Sequence, residues 1–470
     1  MKWGAGAARI ERPRAGVWTD KESLVTGGRT AGWANDVRQG SNARAGWMLV
    51  LIALGVVGVA TLSAPAAVRA QGSADQPASV DSTNEAGEPG PDTPKRRTVS
   101  WNEYDGPIST LRFGYGLLVD FATYAQDAEA EQQAKAKADA GLRDFRVLFK
   151  GRFKTQRPFS WGIGYMYDGA AKEWRFRKTG LQLGVPELSG SFFVGRDKEG
   201  YSLIKVMVGY DGWTIERSTA LDAFVPILAD GIKYFGYSPR AHLNWTIGAY
   251  NDALSKNESF STYQNQVVGR LGWLPILSEP KGEVLHIGIM ARNAVPEDHL
   301  LKLRSRPESY LAPYYLDTRQ FPADRATATG IEAFYRKGPW LYGTEYNIVH
   351  LDASTVGNPT VNGGEAVVSW NITGETRPYN PNTAVFRSDS PNRTVFEGGS
   401  GGWEAVLRYS YLDLDDAGLH GGKFWRVTPM VNWYLSDNFR ADIAYGIGTL
   451  DRFGLNGRTQ FFQLRLQTTL

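Results

Sequence analysis

The sequence predicts an all-β chain folded as a transmembrane antiparallel β-barrel of about sixteen strands. Three observations predict it. From about residue 108 to the end, segments of roughly ten residues place an apolar side chain at every second position, separated by turn residues. The intervening positions carry Arg and Lys in mid-strand, so each segment has one greasy and one wet face. No helical pattern intervenes that could cover an open sheet, and closure into a cylinder in lipid satisfies every backbone group while leaving no edge.

Composition narrows the function classes. Aromatic residues make up 12% and Gly numbers 53, a mix suited to many strands joined by Gly-rich turns. Cysteine is absent, which excludes disulfides, thiolate metal sites and cysteine nucleophiles. The five His include no pair at the spacing of a zinc-binding helix, so no metal or cofactor is expected. The formal charge of +3 includes residues 1–70, which hold nine Lys/Arg and four Asp/Glu. Residues 71–470 hold 43 basic against 45 acidic residues, without the basic excess that nucleic-acid binding needs.

Residues 1–70 are expected to be an N-terminal extension and a signal peptide. After Arg44 comes an apolar run, Trp47 to Ala60, followed by Pro65 and a small-residue cleavage site after Ala70. The polar, Gly-rich stretch before Arg44 is unlike a short basic leader, which puts the expected translation start downstream, near Val25 or Val37. Residues 71–100 are rich in Pro, Ser, Gly and acids with almost no large apolar side chain, and are expected to form a disordered leader. The barrel domain then occupies 101–470.

Within it the alternation places strands at 110–122, 142–154, 159–168, 173–183, 190–197, 229–237, 240–251, 263–273, 283–293, 327–337, 340–350, 363–373, 402–413, 421–434, 438–449 and 459–470. In the last, Phe462, Leu464, Leu466 and Leu470 oppose Gln463, Arg465, Gln467 and Thr469. In the second, Phe145, Val147, Phe149 and Phe153 oppose Arg146, Lys150, Arg152 and Lys154. Connections 123–141, 198–228 and 294–326 are long and expected outside the cell, whereas most of the others are short. Connection 374–401 is long on the opposite side, and the pattern assigns it no role.

The polar faces supply fifteen inward cations: Arg112, Arg146, Lys150, Arg152, Lys154, Arg175, Arg177, Arg240, Arg270, Arg292, Arg336, Arg408, Arg426, Arg440 and Arg465. Six inward acids accompany them: Asp120, Asp144, Glu332, Glu345, Glu404 and Asp442. Rows of positive groups in a narrow low-dielectric pore attract anions along a path, which predicts a passive, water-filled, non-enzymatic channel for small anions. A pore for neutral solutes is the first alternative. An outer-membrane hydrolase is the second, resting on Gly398-Gly399-Ser400-Gly401-Gly402, which fits a nucleophile-elbow pattern without the strand and helix that give it meaning.

Several stretches resemble the phosphate-selective porin O/P family. They are Gly195 to Tyr201 with Ile215 to Ser218, Trp370 to Tyr379, Trp403 to Leu414 and Asn432 to Asn438. The resemblance implies a sixteen-stranded homotrimeric porin in the outer membrane of a Gram-negative-type bacterium, passing anions such as phosphate or polyphosphate. It further implies that 198–228 is a constriction loop placing Lys198, Lys205 and Arg217 at the narrowest point, joined by the inward Arg146, Lys150, Arg152, Arg175 and Arg177. The chain departs from the family pattern over Tyr201 to Tyr210 and in ending on Leu470.

Overall fold

The computed structural model describes residues 101–256 and 262–470. The expected export segment and leader lie outside the described residues. Sixteen antiparallel barrel strands follow one another: β1 (Thr110–Gln126), β2 (Asp139–Phe153), β3 (Phe159–Asp168), β4 (Glu173–Phe176, continuing as Thr179–Val185), β5 (Gly190–Asp197), β6 (Ala229–Ser238), β7 (Leu243–Asn251) and β8 (Tyr263–Ser278). The second half comprises β9 (Glu283–Pro296), β10 (Arg325–Lys337), β11 (Trp340–Asp352), β12 (Thr360–Asn371), β13 (Gly402–Asp416), β14 (Leu419–Tyr434), β15 (Phe439–Arg452) and β16 (Leu455–Thr469). Each pairs with its neighbours in sequence, and β16 pairs back onto β1, which closes the sheet. All sixteen predicted strands are present; several run further toward the long-loop rim than the alternation suggested, as β1 does by reaching Gln126.

Alternation sets the register. Across the closing seam Val119 faces Leu466 and Phe121 faces Leu464, all toward lipid, while Asp120 faces Arg465 in the lumen. That inward pair is ion-bonded at 2.7 Å. A shift of one residue would turn each of these side chains to the wrong solvent. Ile289, Leu407, Ile443 and Leu466 leave about half their surface open on the outer face, forming the apolar belt of a membrane barrel. Near the rim that holds the short turns, Trp340 stacks on Trp370 and Trp403 on Trp433, each with ring centroids 5.2 Å apart. Such rings belong at a lipid–water boundary, and short turns mark the periplasmic rim.

The opposite rim carries a short helix, α1 (Ala128–Gln133), and two long insertions, 198–228 and 297–324, that fold inward. Connection 374–401 also enters the barrel, from the periplasmic rim. Its hairpin, Tyr379–Asn380 paired with Val385–Phe386, is buried against Phe334 of the wall and Trp213 of the first insertion. Part of the lumen is thereby packed with apolar side chains, Trp213, Phe334 and Phe386 among them.

Three readings of the lumen need correction. Arg240 lies in the exposed turn between β6 and β7, where His242 takes a positive φ of 53° and the next strand starts only at Leu243. Lys154 lies just past β2, where it pairs with Asp105 at 2.9 Å at the rim. The inward acids were undercounted: Asp168 ends β3, and Glu365 sits on β12 behind Gly363-Gly364, a pair of glycines that blurs the alternation.

Replacing Ile443 by Arg should destabilise the barrel in vesicles by roughly 2–4 kcal/mol in urea unfolding, the cost of a charge in the hydrocarbon belt. A loss below about 1 kcal/mol would place this position outside that belt.

Candidate functional site

The first insertion is held at two ends by opposite charges. Glu332, Glu345 and Glu365 stand directly across from one another on β10, β11 and β12. Three carboxylates in a row repel unless donors reach them. Helix α2 (Leu203–Val206) brings those donors: the Ser202 hydroxyl donates to Glu345 at 2.6 Å, Leu203 N–H to Glu332 at 2.9 Å and Ile204 N–H to Glu345 at 2.9 Å. Arg270 adds a bond to Glu332 at 2.6 Å. The insertion's other anchor is Glu216, gripped by Arg143 and Arg465, each at 2.7 Å. Burial alone would raise the Glu216 carboxyl, yet these two guanidinium groups pull it down to about 2.

Wall arginines also donate to main-chain carbonyls of the inserted segments. Arg440 reaches Gly212 at 2.5 Å, Arg408 reaches Glu216 at 2.7 Å, Arg426 reaches Pro307 at 2.5 Å and Arg336 reaches Arg377 at 2.5 Å. Arg292 bonds the Phe224 carbonyl and pairs with Glu199 at 3.1 Å. A fixed fork of donors suits this task, because an inserted loop leaves carbonyls that water no longer serves. Much of the inward positive charge read from the sequence is therefore structural.

A cavity of about 530 Å³ lies between the first insertion, the second insertion and a wall made mainly of β1 to β4, with Tyr263 of β8 and Arg465 of β16. Eleven basic side chains line it: Arg143, Arg146, Arg175, Arg177, Lys198, Lys205, Arg217, Lys302, Arg304, Arg306 and Arg465. Five carboxylates accompany them: Asp144, Asp168, Glu216, Asp222 and Glu308. On the wall, Arg146 is paired with Asp144 and Arg175 with Asp168 at 3.4 Å. On the loop, Lys198 donates to the Met207 carbonyl at 2.7 Å and Lys205 to the Val225 carbonyl at 2.8 Å. Arg217 bonds the carbonyls of Ile204 at 3.1 Å and Met207 at 2.9 Å. Carbonyls orient these three cations without cancelling their charge. Burial, and then the neighbouring Arg217, push the Lys205 ammonium down to about 7; burial and the same guanidinium lower Lys198 as well.

Residues 118–470 match the model of the family described as phosphate-selective porin O and P. The chain belongs to that family. An uncharacterized protein of Caulobacter vibrioides is 29% identical over 183 residues, a match that spans 38% of this porin and 36% of that relative. Among solved structures, in-vitro folded OmpT, an outer membrane protein of Vibrio cholerae, superposes with a TM-score of 0.50 at 12% identity, covering 78% of this chain and 99% of that one. The outer membrane channel DcaP of Acinetobacter baumannii gives a TM-score of 0.50 at 9% identity, covering the same 78% and 99%. At such identities the likeness is one of fold, and it agrees with an outer-membrane barrel.

Six of the predicted pore residues of this porin, Lys198, Lys205, Arg217, Arg146, Arg175 and Arg177, converge on the cavity. Lys150 and Arg152 do not line it; they follow Arg146 along β2 toward the periplasmic rim. Arg143 was missed because a β-bulge at the Leu118/Val119 register shift turns it inward beside Asp144. Lys302, Arg304 and Arg306 were missed because they lie in a connection, although their spacing of two was visible. Arg304 and Arg306 enclose the Tyr314 ring at 4.2 and 4.1 Å from its centroid. Ser400 of the nucleophile-elbow pattern follows a single turn, Val395–Glu397, and precedes β13, the reverse of a strand-to-helix elbow.

Replacing Glu216 by Ala leaves two guanidinium groups without their shared carboxylate and should weaken docking of the first insertion by roughly 3 kcal/mol. Trypsin should then cut within 198–228 faster while the strands stay intact. Unchanged cleavage would show that the acidic row and the arginine–carbonyl bonds hold the loop without Glu216.

Proposed function

We propose that this porin passes small anions, phosphate among them, by passive diffusion through the cavity. The observation that carries this reading is the trio Lys198, Lys205 and Arg217, bonded to carbonyls instead of carboxylates and facing Arg146 and Arg177 across the same water-accessible space. In a narrow low-dielectric passage an uncompensated positive field admits anions and rejects cations. Spreading the charge over both insertions and the wall favours transit over trapping, since no single deep site must release the ion. The family's description supports phosphate as one of the anions. Export by a cleaved signal peptide and assembly as a homotrimer complete the proposal.

In planar bilayers under a KCl gradient, the reversal potential should show anion preference. Changing Lys198, Lys205 and Arg217 together to Gln should lower the chloride-over-potassium permeability ratio several-fold; cation preference in the parent protein would sink the reading. Added phosphate should compete with the chloride current, and less so in that variant.

The same measurement has a defined pH course. Lys205, lowered to about 7, is charged below that pH and neutral above it. Anion preference should therefore fall as pH rises from 6 to 9, most steeply near 7. Lys205→Arg should flatten the curve, because a guanidinium keeps its proton throughout. A preference that rises with pH would exclude Lys205 as the titrating group.

A further inference from the structure

The first insertion has two apolar faces. Leu203, Ala220 and Leu221 belong to the packed part of the lumen and are at most 1% exposed. Val208 and Ile227, by contrast, each keep 38% of their surface open and line the cavity. The half-buried Ala223 and Pro226 extend them along the same lining. A single exposed aliphatic group on a protein surface is ordinary. Here several come from both ends of one loop and meet in one passage, together with Lys205, Arg217 and Arg177.

An inorganic anion gains nothing from such a surface. It would lose hydration beside it, whereas an anion with a hydrocarbon body would cover the surface and leave its head group on the cations. The cavity volume of about 530 Å³ falls within the range of roughly 300–1,000 Å³ typical of small organic ligands. The two partly exposed rings of the lining already carry guanidinium groups, Tyr314 those of Arg304 and Arg306 and Tyr310 that of Arg143, so the apolar partner on offer is the aliphatic strip.

From this juxtaposition we infer that the pore preferentially binds, as passing occupants, monocarboxylates with an apolar body, of the size of an arenecarboxylate, seating the carboxylate on Lys205, Arg217 and Arg177 and the hydrocarbon on Val208 and Ile227. This deepens the anion-pore reading and rests on it. Head group and net charge are shared with acetate, so the difference between the two anions reports the strip alone. Neutral benzyl alcohol shares the ring without the charge.

The test is block of the chloride current through the full-length protein in planar bilayers by acetate, benzoate and benzyl alcohol. Benzoate should block at a concentration about tenfold below that of acetate, from partial burial of one ring, and benzyl alcohol should not block. In a Val208→Ser, Ile227→Ser variant the benzoate-to-acetate ratio should shrink about threefold or more, each variant being referred to its own chloride current. Equal block by acetate and benzoate, equal block by benzyl alcohol and benzoate, or an unchanged ratio in the double variant would each overturn the inference. If the KCl reversal potential stayed anion-selective in any of those cases, the anion-pore reading would stand; a cation-selective potential would remove both.

Discussion

The lumen depends on one interaction, an arginine fork from the wall closing on the main-chain carbonyls of a segment folded inside. A barrel of sixteen strands is too wide for its own side chains to fill, and backbone drawn into it leaves water behind without strand partners. Arg292, Arg336, Arg408, Arg426 and Arg440 restore the lost bonds. Lysine in these places would offer a point charge and no fixed fork.

This division of labour separates two kinds of positive charge that look identical in a linear chain. Clamping arginines spend their donors on carbonyls and neighbouring carboxylates, as Arg408 does on Glu308 and Arg292 does on Glu199 at 3.1 Å. Cations carried by the loop itself are steered by the loop's own carbonyls and keep their field. Opposite walls therefore behave differently. The acidic row on β10 to β12 receives the insertion, and the wall of β1 to β4 faces the cavity.

The fold was almost wholly legible in the sequence, because a strand between lipid and water leaves a period of two that no loop imitates for long. Legibility failed where the backbone leaves that period. The bulge that turns Arg143 inward inserts one residue into the count, and Gly363-Gly364 hid Glu365. Arg240 looked like part of a strand because its neighbours alternate up to the turn. Within the site, Arg146, Arg175 and Arg177 followed from alternation, and the loop cations followed only from family resemblance. Arg304 and Arg306 belong to a connection whose inward folding depends on distant contacts, such as that between Tyr315 and Phe424. Neighbouring residues carry no trace of such contacts.

Connection 374–401 enters from the periplasmic mouth, and insertion 198–228 from the other. They touch: Arg377 donates to the Asp211 carbonyl at 3.0 Å, and Phe386 meets Trp213 edge to face at 6.1 Å. The two mouths are consequently not independent modules. A length change in either segment alone would leave the other without its seat, so transplanting loops between relatives of this barrel succeeds only when both members travel as a pair.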